Sequence, residues 1–77
     1  MKLIENPVWI IDGMTDEEIK NRIPVRTFKC ADEIIILLRN KDFCNVQLFG
    51  ELQKLEGINQ GEASAINFAA SEYRREK

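Results

Sequence analysis

A chain of 77 residues with 11 basic and 13 acidic side chains, net charge −2 and no histidine excludes several functions at once. It has room for one small domain, residues 1–77, and for neither a Ser-His-Asp or Cys-His arrangement nor a histidine general base. Charges mixed along the chain make no strong field for a polyanion, so nucleic acid is not the expected partner unless a local basic patch exists.

The first residues, Met1 to Pro7, lack the apolar core of a signal peptide, and the longest apolar run, Ile34 to Leu38, is far too short to span a bilayer. No membrane association is expected, and the expected location is cytoplasmic. Lys2 to Ile11 has β character: Val8, Trp9, Ile10 and Ile11 are β-branched or aromatic and follow Pro7. Asp12-Gly13 closes this run as a turn.

Thr15 then opens a short helix. Thr15 and Glu18 have capping-box spacing, and Asp16, Glu17 and Glu18 place negative charge at the positive end of the helix dipole. Ile19 and Ile23 can face a core, and Pro24 ends the helix. Val25 to Cys30 alternates weakly and is a candidate strand. Asp32 to Asn40 reads as a helix, with acids at its start and Arg39 and Lys41 at its end, although Ile34-Ile35-Ile36 also suits a strand.

Cys44, Leu48, Leu52 and Leu55 recur on one helical face, with Gly50 inside the pattern at a cost of about 1 kcal/mol relative to alanine. Gly57 is a natural helix-ending residue, and a last helix is expected from about Gly61 to Arg75. Residues 43–77 therefore read as a helical hairpin. The expected fold is α+β and mostly helical: an N-terminal β segment, a short capped helix and a C-terminal helical hairpin.

Two cysteines, Cys30 and Cys44, make neither a disulfide framework nor a four-ligand zinc site. They are expected to be small buried apolar residues in a reducing compartment. No phosphate-cradling or dinucleotide glycine motif occurs. No cofactor, metal or catalytic residue is expected.

The last helix carries the functional expectation. At about 100° per residue, Ser64, Asn67, Ser71 and Arg74 gather on one side. Ala63, Ile66, Ala70 and Tyr73 form another, and Ala65 and Phe68 extend the apolar arc toward Glu72. That arc exceeds the stripe a surface helix of a small domain normally buries. The reading is a non-enzymatic interaction module that presents this face to a second copy or to a larger protein. Its expected contact residues are Phe68, Tyr73, Ala65, Glu72 and Trp9. The size suits a bacterial or phage accessory protein such as a regulator, inhibitor or assembly subunit.

Two alternatives stand beside it. The strand-like Val8-Trp9-Ile10-Ile11-Asp12 and the later Gly61-Glu62-Ala63 together resemble parts of a PIN-type nuclease domain. That resemblance implies Asp12 and Glu62 as metal ligands for phosphodiester hydrolysis. It covers about a dozen residues, and the chain ends where the family has its further acids. Asp12 as a turn residue and Glu62 as a helix-start residue is the competing reading. The second alternative is weak nucleic-acid binding through Arg74, Arg75 and Lys77, against favourable charge at a helix end.

Overall fold

A computed structural model describes residues 9–75. Four α-helices follow one another: α1 (Asp16–Arg22), α2 (Ala31–Leu38), α3 (Asn45–Gln53) and α4 (Gln60–Ser71). Each packs on the next in sequence, α1 on α2, α2 on α3 and α3 on α4.

The class is helical, not α+β, and no strand occurs among the described residues. Of the expected N-terminal β segment, Lys2 to Val8 lie outside the described residues. Ile10–Gly13 forms a single 3₁₀ turn. β-Branched residues favour a strand only where a neighbouring strand completes the ladder. Here the Ile11 N–H instead donates to the Tyr73 carbonyl at 2.9 Å, and the Ile11 side chain is fully buried among helices. Val25 to Cys30 is no strand either. Its N–H groups close successive tight turns, Phe28 to the Val25 carbonyl at 3.1 Å and Ala31 to the Phe28 carbonyl at 3.2 Å.

The helical expectations fare better. Thr15 and Glu18 cap α1 reciprocally, with backbone-to-side-chain bonds of 2.9 and 3.2 Å. Ile19 and Ile23 are buried, and the chain leaves the helix before Pro24. In α2 the burial of Ile34, Ile35 and Leu38, with Ile36 exposed, follows the helical period rather than strand alternation. Leu48 and Leu52 of α3 are buried. Leu55 lies beyond the helix end, half-buried against the same core.

Gly57 sits in the turn between α3 and α4 with φ of +89°, a conformation that favours glycine. Asn59 then caps α4. Its side chain accepts from the Glu62 N–H at 2.8 Å, while Glu62 accepts from the Asn59 N–H at 2.9 Å. The core runs through all four helices: Ile19 from α1, Ile34 and Leu38 from α2, Leu48 and Leu52 from α3, Ala63, Ile66 and Ala70 from α4. The small Ala63 and Ala70 let α4 lie close on its neighbours.

The cysteines depart from expectation. Both are free; Cys30 is half-buried and Cys44 is exposed. Cys44 is the N-cap of α3, its N–H donating to Gln47 Oε1 at 3.1 Å. Among the described residues no helix is long and apolar enough to cross a membrane.

Candidate functional site

The core takes the Ala63, Ile66 and Ala70 side of α4. The stripe about half a turn round the helix is therefore left facing water. Ala65, Phe68 and Glu72 all lie exposed on it, and Phe68 at its centre is 79% accessible. The arc judged too wide for a small domain is thus split between a buried half and an outward half. Glu72 also forms an i,i+3 ion pair with Arg75 at 3.9 Å, with both side chains largely in solvent, where such pairs contribute little.

A shallow cleft runs beside this stripe, between the start of α3 and the middle of α4. It measures about 280 Å³ and is lined by Asn45, Val46, Phe49, Ser64 and Asn67. Val46 is 80% accessible, so it and Phe68 are the two most exposed large apolar side chains described. Phe68 neighbours Ser64 by the i,i+4 rule. The Asn67 Oδ1 atom is buried without a hydrogen-bond partner. The arrangement offers apolar area with polar atoms between. It carries no general acid, base or nucleophile pair.

Tyr73 and Trp9 do not join this surface. Tyr73 is half-buried and packs on the core, and its carbonyl holds the Ile11 N–H. Trp9 is half-buried too. The Arg74 guanidinium carbon lies 4.7 Å from its ring centroid and Lys41 Nζ lies 5.9 Å away, both within cation–π reach.

Arg74 is the residue that sequence reasoning misplaced. It is only 8% accessible, not part of a solvated basic tail. Nε donates to the Leu38 carbonyl at 3.0 Å, Nη2 to the Asn40 and Phe43 carbonyls at 2.9 and 2.6 Å, and Nη1 to Asn45 Oδ1 at 3.3 Å. The carbonyls at the end of a helix have no intrahelical partner, and one guanidinium serves those at and after the end of α2. Burial lowers the Arg74 pKa, and attraction to Cys44 opposes that shift; the group stays a cation.

Arg39, between the two α2-end residues whose carbonyls bind Arg74, does the same for the N-terminal segment. Its Nη1 donates to the Ile11 carbonyl at 3.1 Å, and its Nη2 to the Met14 carbonyl at 2.8 Å and to Asp16 Oδ1 at 2.9 Å. Neither role has a local signature, because the acceptors are backbone groups remote in sequence.

The alternative site residues are occupied by structural work. The Glu62 carboxylate closes the α4 cap, and Asp12 pairs with Lys41 Nζ at 2.8 Å. No group of three or more acidic or cysteine side chains converges among the described residues. Of the expected basic tail, Arg74 is internal, Arg75 is exposed beside Glu72, and Lys77 lies outside the described residues. Comparison with protein-family models, with curated proteins and with solved structures finds no match to this chain.

Proposed function

We propose that this protein is a non-enzymatic interaction module that works by docking the outer stripe of α4, Ala65, Phe68 and Glu72, onto another protein chain. The observation that supports this reading is Phe68, a large aromatic held in water on a helix whose opposite side is firmly packed. A rigid aromatic loses little rotamer freedom on binding and buries much area, which is what an interface anchor requires. Val46 and the adjacent cleft extend the surface, while Trp9 and Tyr73 act from inside by holding the end of α4 in place. The partner is a larger protein or a second copy, and the role is that of a cytoplasmic regulator or small assembly subunit.

The test compares the parent chain with Phe68→Ser, by sedimentation across concentrations for self-association and by affinity capture from the native host for a foreign partner. The serine variant is expected to keep its fold and lose the association. A parent chain that stays monomeric at millimolar concentration and retains nothing from the host overturns the proposal.

A further inference from the structure

The cations of this molecule are unequally employed. Arg39 and Arg74 bind internal carbonyls, and Lys41, Lys54 and Arg75 pair with Asp12, Glu51 and Glu72. Among the described residues, Arg22, Arg26 and Lys29 enter no ion pair, and all three are exposed. They fall in one stretch, Lys20 to Lys29, which holds four basic residues and no acid. With a whole-chain charge of −2 and +4 in this stretch, the remaining residues sum to −2 − 4 = −6. The positive charge is therefore gathered where α1 turns toward α2.

The turns after Pro24 give this charge a concave shape. Lys20, Asn21, Arg22, Arg26 and Thr27 line a cleft of about 330 Å³. Thr27 also lines a second, larger cleft of about 550 Å³, walled by Phe28, Lys29, Cys30, Glu33 and Glu56. The two clefts therefore adjoin, one basic and the other part aromatic and part acidic. The one ion pair described at the basic cleft is Asp32 to Lys20, at 3.5 Å with the Asp32 side chain 88% accessible; such a pair yields readily to a competing anion.

We propose that this pair of clefts binds a small phosphate monoester, the phosphate held by Arg22, Arg26 and Lys20 and the organic body lying past Thr27 toward Phe28. Guanidinium forks match phosphate oxygens, and charge-assisted bonds of this kind are the stronger ones. Asn21 and Thr27 add neutral donors. The body of the ligand is small and carries little further negative charge, because Glu33 and Glu56 line the neighbouring cleft. A polynucleotide running through both clefts would set its next phosphates against those carboxylates. This site is independent of the α4 surface and stands or falls separately from it.

The test is a titration of isotope-labelled protein, followed by amide correlation spectra. The probes are inorganic phosphate, adenosine monophosphate, ribose 5-phosphate and adenosine. The phosphate-bearing probes are expected to shift the amides from Arg22 to Cys30 in a saturable way. The Arg26→Gln variant should weaken binding by about tenfold while Lys54→Gln leaves it unchanged, and Arg22→Gln provides a second variant in the same cleft. Tighter binding of adenosine monophosphate than of ribose 5-phosphate would assign the base to the Phe28 cleft. Equal binding would assign recognition to the phosphate and sugar. Absence of saturable shifts, equal binding by adenosine, or unchanged affinity in both Arg26→Gln and Arg22→Gln overturns the proposal. So does a single-stranded oligonucleotide that binds these residues more tightly, with a steep salt dependence.

Discussion

Two regions at the C-terminal end of the molecule reverse the ordinary placement of charge and grease. At the junction of α2, α3 and the chain leaving α4, Arg74 is inside. On the outward stripe of α4, six residues earlier, Phe68 is outside. The junction can hold a cation because four oxygens converge on it, the Leu38 carbonyl at the end of α2, the Asn40 and Phe43 carbonyls of the turn that follows, and Asn45 Oδ1. Nothing in the described residues covers Phe68. The lesson is that burial follows the available partners more closely than it follows residue type. Arg74 has partners within the fold; Phe68 is left to find one outside.

That contrast is broken most directly at Arg74. Arg74→Met takes the charged donor from the Leu38, Asn40 and Phe43 carbonyls, so urea unfolding should show a loss of about 3–5 kcal/mol. Arg74→Lys should recover little of it, since a lysine amine cannot reproduce the planar fork. A lysine variant as stable as the parent would mean that the junction needs only a charge. Arg39→Met should cost less, about 1–2 kcal/mol, because its site is partly open to water.

Substitutions within the hairpin sharpen the comparison at smaller scale. Asn59→Ala removes the α4 cap and is expected to lower stability by about 1 kcal/mol, read as a shift in the urea midpoint with unchanged slope. Gly50→Ala should move the midpoint the other way by up to about 1 kcal/mol. An added Cβ there meets nothing within 4 Å, and alanine is the better helix former. Phe68→Ser closes the series. On the outward stripe it should change stability by no more than about 0.5 kcal/mol while abolishing association. A loss of several kcal/mol would place Phe68 in the core and remove the reason for calling the stripe a docking surface.

Legibility in the sequence followed the range of the interactions. The α1 cap was readable because Thr15 and Glu18 are three residues apart. The outward half of α4 was readable because Ala65, Phe68 and Glu72 share a face through helical period alone. The inward packing of Trp9, Tyr73 and Arg74 had no such local signature. Arg74 takes its partners from α2 and the α2–α3 turn, Trp9 lies under the Arg74 guanidinium, and the Tyr73 carbonyl holds Ile11, all contacts between segments remote in sequence. The basic cleft was hidden in the sequence for a related reason. Lys20 to Lys29 holds four basic residues and no acid, but only the turns after Pro24 fold Lys20, Arg22 and Arg26 round one concave surface.

The amino-acid order by itself determined the helix starts, the turn at Gly57 and the surplus apolar arc of α4, because these depend on neighbours within about one helical turn. Only the tertiary structure decided that Ile10 and Ile11 join a helical core rather than a sheet, and that Arg74 is interior. A β-branched segment becomes a strand only beside another strand, and a guanidinium is buried only where distant chain segments bring their carbonyls together.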